Sequence, residues 1–194
     1  MKLFVVRHGE TEANLAKRYL GHSDSPLTEV GTTQARHVAT QLSTVGITGI
    51  YSSDLPRSIA SASFLSQSIC IPIITDNRLR ELDFGLIENM TYAEARHAHP
   101  LEMQRWYDDW EHNSPPEGES LSALQQRVHS FLSMLVTKKH KAVALYTHGG
   151  VCDLLLSDAS GGPFVASRAR PGQCFELLLL PTCQGWLLKS GPGI

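Results

Sequence analysis

The chain has 194 residues, the size of one ordinary domain, and its hydrophobic fraction of 42% is enough to fill a core. The formal net charge of -2 argues against a general binder of nucleic acid or of anionic membranes. No segment approaches the roughly 18 to 20 apolar residues that a membrane span needs. The opening stretch, Met1 to Val6, is too short for a signal-peptide core. We therefore expect a cytoplasmic protein.

The cysteines and clustered histidines give no sign of a disulfide framework or a metal centre. The four cysteines form no CxxC pair, and we expect reduced, mostly buried thiols at Cys70, Cys152, Cys174 and Cys183. Three histidines lie near one another in sequence but lack the matching Cys or carboxylate spacing of a zinc site: His97, His99 and His112. We predict no metal and no other cofactor.

The first half of the chain alternates short apolar runs with helical patterns. Strands are predicted at Lys2–Val6, Ile47–Ser52 and Ile69–Thr75. Thr28 can cap a helix that ends near Gly46, and its inner face is predicted to carry Val30, Val38, Leu42 and Val45. Asp54 and Pro56 stand where a second helix would begin, with Ile59, Ala62 and Leu65 as its buried face.

The second half starts with a segment of different composition, rich in aromatic, His and acidic residues, from Glu81 to Pro116. We interpret it as an insertion above the sheet. Ser120 can then cap a helix whose inward residues are Leu121, Leu124, Val128, Phe131, Leu132 and Leu135. The remaining predictions are a strand at Ala142–Tyr146, a helix at about Val151–Ser157, and an edge hairpin of Phe175–Leu180 with Trp186–Leu188.

This alternation predicts an α/β fold, a three-layer α/β/α sandwich with a largely parallel central sheet. We predict one domain over residues 1–194, with a cap insertion at about 86–118. Such sheets bind ligands at the carboxyl ends of their strands. Because Arg7-His8 and His148 both follow predicted strands, we expect the two histidines to lie on the same rim.

Residues 7–11, Arg-His-Gly-Glu-Thr, carry groups suited to phosphoryl transfer. A neutral imidazole such as that of His8 can attack phosphorus near neutral pH. Arg7 offers a permanently charged, forked donor, and Gly9 is expected to let the backbone approach a ligand. Asn14 adds a neutral amide donor on the following helical turn. The whole pattern after a buried strand is far more specific than a lone Arg-His pair.

The motif resembles that of the histidine phosphatase superfamily, whose members include cofactor-dependent phosphoglycerate mutases and many small phosphatases. Four further segments are similar to family motifs: Leu27-Thr28 with Gly31 and Gln34-Ala35, Ser52-Ser53-Asp54-Leu55 with Arg57-Ser58, Leu79 to Gly85, and Thr147-His148-Gly149-Gly150. The resemblance covers most of the chain and implies the phosphoglycerate mutase-like fold.

The resemblance also implies residue roles. His8 would be the nucleophile that becomes phosphohistidine, and Glu81 would protonate the departing alkoxide and then help to activate water. The phosphoryl oxygens would be held by Arg7, Arg57 and His148. We expect further substrate contacts from Asn14, Gly9, Thr11, Gly149 and, at the mouth of the pocket, His22. Phosphoryl transfer depends mainly on positioning and charge stabilisation, which arginines can supply without a metal.

The segment Glu88–Pro116 bears on the substrate. It is short and not basic, unlike the longer basic insertion of the mutases, and it carries Tyr92, Trp106, Tyr107 and Trp110. These rings could stack on a heteroaromatic group, or Trp106 and Trp110 could pack the insertion onto the body. The overall pattern is most similar to the alpha-ribazole phosphatases, which act on the lower-ligand nucleotide in cobalamin synthesis. Ile87 departs from it, because relatives often have Trp shortly after Phe-Gly.

Several alternatives stay open at this point. They are a broad-specificity or sugar-phosphate phosphatase, a phosphoglycerate mutase, a protein phosphatase, and a catalytically silent phosphate-binding module. The expected partner is a small phosphorylated metabolite, with no nucleic acid and no membrane. The sequence leaves open whether the chain forms a homodimer and whether the segment around Gly161-Gly162 is an ordered wall or a lid.

Overall fold

The computed structural model describes residues 1–165 and 169–192. Its centre is one six-stranded sheet in the order β3-β2-β4-β1-β5-β6. The strands are β1 (Lys2–Arg7), β2 (Gly49–Ser52), β3 (Ile73–Thr75), β4 (Ala142–Thr147), β5 (Cys174–Thr182) and β6 (Gly185–Ser190). The first four in space are parallel, and the β5–β6 hairpin is antiparallel and forms one edge. The predicted α/β fold class with a largely parallel sheet is confirmed.

The helices are α1 (Glu12–Leu15), α2 (Glu29–Leu42), α3 (Pro56–Ile69), α4 (Tyr92–Ala98), α5 (Pro100–Asp108), α6 (Leu121–Leu135) and α7 (Gly149–Ser160). Two predicted caps are present, because the hydroxyls of Thr28 and Ser120 accept hydrogen bonds from Gly31 N and Ala123 N. Among the described residues, no helix is long and apolar enough to cross a membrane.

Helices cover both faces of the sheet, and the alternation of side chains along the strands produces two cores. In β1, Leu3 and Val5 pack against α6 and α7, whereas Phe4 and Val6 pack against α2 and α3. The central strand β4 is buried along its whole length. A sheet buried on both faces explains the near-continuous apolar runs in the sequence.

The strand ends bring the motifs that contain Arg7-His8, Ser52-Ser53 and Thr147-His148 to the same edge of the sheet. Arg7 at the end of β1 pairs in register with Thr147 at the end of β4, and Ser52 at the end of β2 pairs with Tyr146. The next residues are joined to β4 by backbone hydrogen bonds from His8 N to Thr147 O (3.0 Å) and from Ser53 N to Tyr146 O (2.9 Å). Three neighbouring parallel strands therefore deliver His8, Ser53 and His148 to the same rim.

The segment between β3 and α6 lies beside that rim. It contains two short 3-10 turns, Asn77–Leu79 and Gly85–Ile87, followed by α4 and α5. A small separate core of Ile87, Ala95 and Met103 holds it together, with the rings of Phe84 and Trp106 packed against this core. The assignment of residues 86–118 as a cap insertion in a single domain stays a prediction.

Some local expectations are wrong. Val30 is 56% exposed, because the inner stripe of α2 runs through Gly31, Ala35, Val38 and Leu42. Strand β3 is shorter than predicted because α3 continues to Ile69. Leu55, not Asp54, is the N-terminal flanking residue of α3, with no side-chain cap. The cysteines are free, as expected, but Cys70 and Cys183 are exposed.

Candidate active site

The imidazole of His8 lies at the end of β1 and is only 2% exposed. Its Nδ1 lies 2.7 Å from the carbonyl oxygen of Gly9. Because a carbonyl oxygen only accepts, Nδ1 carries the proton and Nε2 keeps its lone pair. Burial, reinforced by the charges of Arg57 and Arg7, holds the pKa of His8 well below its usual value, although the bond to Gly9 opposes this. The ring is therefore neutral and fit for nucleophilic attack through Nε2.

The second histidine, His148, lies with its ring centroid 5.1 Å from that of His8, at an interplanar angle of 61°. Burial, followed by the charge of Arg57, holds its pKa well below the usual value too. Its Nε2 lies 2.8 Å from the hydroxyl of Ser53, which also accepts from Leu55 N at 3.3 Å. If Ser53 donates its proton to Nε2, the ring proton of the neutral His148 is on Nδ1.

The guanidinium of Arg57 is 1% exposed at the start of α3. Its Nη1 donates to Ser23 O (2.8 Å), and its Nη2 donates to Gly21 O (2.6 Å) and Leu20 O (3.4 Å). Burial lowers the pKa of Arg57 to about 10, which leaves it charged at neutral pH. Both terminal nitrogens of this guanidinium thus donate to backbone carbonyls of the turn at residues 20–23.

Three buried nitrogens of this group have no hydrogen-bond partner within the described part of the chain: Arg7 Nε, Arg57 Nε and His148 Nδ1. Arg7 is held from its other side, where Nη1 donates to Ala169 O at 2.6 Å. Buried donors without a partner are rare in folded proteins and point to a missing ligand. Two cationic N–H groups and one imidazole N–H next to a neutral histidine fit an anion with several oxygens, such as a phosphoryl group.

The carboxylate of Glu81 reaches the same rim from the loop before the insertion and is 8% exposed. Its oxygens accept from Gly150 N at 3.0 and 3.1 Å, and Oε1 also accepts from Leu82 N at 3.0 Å. The guanidinium of Arg127 binds the Glu81 carbonyl at 2.8 Å. The carboxylate is thus fixed at the first turn of α7, beside the group that contains His148.

The other predicted contacts differ in their surroundings. Asn14 lines the cavity described below, while Thr11 caps α1 in a reciprocal pair with Asn14. Gly149 also lines the cavity, against the Arg7 guanidinium. Glycine is required at position 9 by a close approach to the backbone of Gly31 in α2, and the expected approach of Gly9 to a ligand stays a prediction. Its N–H is taken by the hydroxyl of Ser61 at 3.0 Å.

His22 was expected at the mouth of the pocket. Its ring instead contacts the Glu81 carbonyl at 3.0 Å through Nε2, and Nδ1 lies 3.7 Å from the Asp83 carboxylate. The backbone N–H of His22 donates to Glu88. His22 therefore supports the segment that carries Glu81 and does not line the cavity.

A cavity of about 630 Å³ adjoins these groups, and Arg7 and Glu81 are part of its wall. Its wall is mainly aromatic and aliphatic, and the aromatic residues are Tyr19, Phe84, Trp106, Tyr107, Trp110 and Phe164. Trp106 packs against Tyr19 and Phe84, with ring centroids 6.0 Å apart in each pair. Trp110 packs against Phe164 across the cavity wall, with centroids 4.9 Å apart. The two tryptophans therefore both pack against other rings and face the cavity.

The potential metal ligands do not form a cluster. Within residues 1–165 and 169–192, no group of three or more His, Cys, Asp or Glu side chains could hold a metal ion. His112 pairs with Asp109 at the surface, and His129 pairs with Asp158.

Comparison with known proteins agrees with this arrangement. The model of the histidine phosphatase superfamily (branch 1) matches residues 3–180. The chain belongs to the histidine phosphatase superfamily. Its superfamily relatives include a probable phosphoglycerate mutase GpmB of Proteus mirabilis, 39% identical over 169 residues, which are 87% of this chain and 79% of that protein.

Solved structures of superfamily members are also similar. The alpha-ribazole phosphatase from Shigella flexneri superposes with a TM-score of 0.87 at 27% sequence identity. The superposition covers 98% of this chain and 95% of the Shigella flexneri chain. YhfR of Bacillus stearothermophilus superposes with a TM-score of 0.87 at 26% sequence identity, over 100% of this chain and 97% of the YhfR chain. The chain is thus a superfamily enzyme, of the phosphatase or the mutase kind.

Sequence reasoning assigned no role to several residues that hold the site together. Ser53 contacts His148, Gly150 N binds Glu81, and Arg127 binds the carbonyls of Arg78, Arg80 and Glu81. Ser53 and Gly150 follow strands within motifs already recognised, so their position at a strand end was a usable signal. Arg127 lies inside an amphipathic helix, where its spacing gives no hint of this contact.

Proposed function

We propose that the chain is a metal-independent phosphomonoester hydrolase that works through a phosphohistidine on His8, most specifically on alpha-ribazole 5'-phosphate. The observation that carries the phosphoryl-transfer chemistry is a set of buried nitrogens that have no partner among the described residues and lie beside a neutral imidazole: Arg7 Nε, Arg57 Nε and His148 Nδ1. Under this proposal the enzyme works in the cytoplasm on a free small metabolite, with no nucleic acid and no membrane.

In the first step, Nε2 of His8 attacks phosphorus and the bond to the ester oxygen breaks. The two arginines and His148 hold the phosphoryl oxygens and balance their charge as the group moves. Glu81, in its acid form, gives a proton to the departing oxygen, so an alcohol leaves. The bond from Nδ1 of His8 to Gly9 O fixes the ring orientation throughout.

In the second step, water replaces the alcohol. Glu81, now a carboxylate, accepts a proton from water as the water oxygen attacks phosphorus, and the bond to Nε2 breaks. Inorganic phosphate is released, and His8 returns to its neutral state. One water is consumed for each ester bond that is cleaved, and the same carboxyl group acts first as acid and then as base.

The cavity wall supports a substrate with an apolar, planar group. Six aromatic side chains line it, and they can stack on a heteroaromatic ring such as that of alpha-ribazole. Arg18, also on the wall, is already bound to Asn89 O and to the Glu94 carboxylate at 3.0 Å. The likeness to the Shigella flexneri alpha-ribazole phosphatase agrees with this choice.

The second candidate is a phosphoglycerate mutase, because the Proteus mirabilis relative carries that name. A mutase must keep the phosphohistidine away from water and must grip the carboxylate of the sugar acid. The aromatic wall and the engaged Arg18 favour the hydrolase. A broad-specificity or sugar-phosphate phosphatase needs the same phosphoryl chemistry, but its substrates would make fewer contacts with the aromatic side chains of the cavity wall.

The experiment is a kcat/KM profile of the purified protein in EDTA. The substrates are alpha-ribazole 5'-phosphate, nucleoside monophosphates, sugar phosphates, 3-phosphoglycerate and a phosphotyrosine peptide. His8→Ala tests the nucleophile, and His37→Ala, an exposed histidine of α2, is the matched control. Acid-labile labelling of His8 by a phosphate donor is measured in parallel.

A preference of about a hundredfold for alpha-ribazole 5'-phosphate, equivalent to about 2.7 kcal/mol of transition-state discrimination, supports the whole proposal. A flat profile that vanishes in His8→Ala keeps the hydrolytic mechanism and rejects the substrate. Conversion of 3-phosphoglycerate to its isomer faster than to glycerate would show a mutase. Activity that EDTA abolishes would contradict metal independence.

A further inference from the structure

The carboxylate of Glu88 gathers four backbone N–H groups. It accepts from three consecutive residues, Gly21 (3.2 Å), His22 (2.9 Å) and Ser23 (3.2 Å), and also from Phe84 (3.2 Å). Glu88 is half-buried and lies outside the cavity wall. Hydrogen bonds to a carboxylate are charge-assisted and strong. Those to Glu88 therefore hold the backbone turn at residues 20–23 in its shape.

The opposite side of the same turn binds Arg57. The carbonyls of Leu20, Gly21 and Ser23 accept from the terminal nitrogens of this guanidinium. The peptide units of residues 20–23 therefore lie between an anion on one side and a cation on the other. The N–H groups of residues 21–23 point to Glu88, and the carbonyls of residues 20, 21 and 23 point to Arg57. The two charges therefore favour the same orientation of these peptide dipoles.

Gly21 is required for this close approach. A Cβ added there would overlap Oε1 of Glu88 and the carbonyl oxygen of Leu82. Two backbone bonds flank the contact, from Asn89 N to Tyr19 O and from Tyr19 N to Met90 O, each 2.8 Å. The turn is thus held against the segment around Glu88 along several residues.

We propose that Glu88 is a positioning residue for the phosphoryl site, which acts through the turn at residues 20–23 to aim Nε of Arg57 at the phosphoryl group. Both terminal nitrogens donate to the turn, whereas Nε is the buried nitrogen of this guanidinium that has no partner among the described residues. A loosened turn would let the guanidinium rotate away from the site. This inference rests on the proposed phosphoryl chemistry but not on the identity of the substrate.

The alternative is that Glu88 only stabilises the insertion. Glu88→Gln separates the two, because it keeps the size of the side chain but puts an amide group against N–H donors. Glu102→Gln, an exposed carboxylate of α5, is the matched control. Gly21→Ala disturbs the same contact from the turn side.

The decisive experiment is a double-mutant cycle on inorganic phosphate binding, with the dissociation constant measured by calorimetry on the full chain. The cycle uses wild type, Glu88→Gln, Arg57→Lys and the double variant. We expect Glu88→Gln and Gly21→Ala to weaken phosphate binding by about tenfold, because a small misplacement of a charged donor is costly. In the Arg57→Lys background, Glu88→Gln should change the dissociation constant for phosphate by less than about threefold.

Equal weakening in both backgrounds would overturn the inference, since Glu88 would then act independently of Arg57. Unchanged phosphate binding in Glu88→Gln would also overturn it. A lower melting temperature with unchanged phosphate affinity would assign Glu88 a structural role alone. Wild type that binds no phosphate would defeat the proposed chemistry itself, whereas rejection of alpha-ribazole 5'-phosphate leaves this cycle intact.

Discussion

The hydroxyl of Ser53 lies 2.8 Å from Nε2 of His148, and both residues are fully buried. The hydroxyl also accepts from Leu55 N, so its own proton needs an acceptor. Within the described residues, His148 Nε2 is the acceptor that the structure offers to this proton. Ser53 then selects the His148 tautomer with a proton on Nδ1, the buried nitrogen that has no partner among the described residues.

Ser53→Ala should remove this selection. We expect kcat/KM to fall by about tenfold, less than the loss of a whole transition-state donor, because His148 still occupies its place. The 15N chemical shifts of the His148 ring should change from a protonated Nδ1 to a mixture of tautomers. Ser63→Ala, on the outer side of α3, is the control. A wild-type ring that is protonated at Nε2 would contradict this assignment.

The two buried histidines should make stability depend on pH. Their pKa values are lowered in the folded protein, so below about pH 6.5 the unfolded chain binds protons that the folded chain does not. Stability is then fully present above pH 6.5 and falls as the pH falls, by up to about 1.4 kcal/mol per pH unit for each histidine.

Urea unfolding between pH 5 and pH 8 measures this slope. His8→Gln should reduce it by up to half, since one of the two titrating rings is gone. His37→Gln should leave it unchanged, because that ring is exposed. A wild-type stability that rises as the pH falls through this range would show that the histidines are protonated in the fold.

Glu81→Gln should affect substrates according to their leaving group. In the proposed mechanism an alkyl alcohol leaves with a proton from Glu81, so kcat for an alkyl phosphate should fall by about 10²- to 10⁴-fold. A nitrophenolate leaves without protonation, so the variant should still release nitrophenol in a rapid first turnover while phosphohistidine accumulates. Stopped-flow absorbance measures this burst, with Glu111→Gln as the control. A first-turnover rate reduced equally for both substrates, with no nitrophenol burst, would exclude an acid role for Glu81.

Trp110→Ala should change substrate preference through the cavity wall. Its ring packs against Phe164, and its loss removes a surface on which a planar group can stack. We expect KM for an aromatic phosphomonoester to rise by about five- to tenfold, from the loss of about 1 kcal/mol of ring contact, with little change for a small alkyl phosphate. Leu101→Ala, at a residue 70% exposed, is the control. A uniform rise for both substrates would count against stacking.

Much of the fold could be predicted from the sequence, because local patterns reflect local physics. Apolar runs predicted the buried strands, and Thr28 and Ser120 were recognisable caps. The prediction failed where a tertiary contact overrides the pattern. Val30 is exposed because the small residues Gly31 and Ala35 allow α2 to approach the rim closely along a different stripe.

The sequence by itself also indicated which side chains make up the candidate site, namely two histidines, two arginines and a glutamate, and which strand ends bring the histidines together. Only the tertiary structure decided how each group is held and which of its atoms stays free. The partners of His148, Arg57 and Glu81 are Ser53, the turn at residues 20–23, and Gly150. These contacts join residues far apart in the chain, and side-chain hydrogen bonds across such distances leave no periodic mark in a sequence.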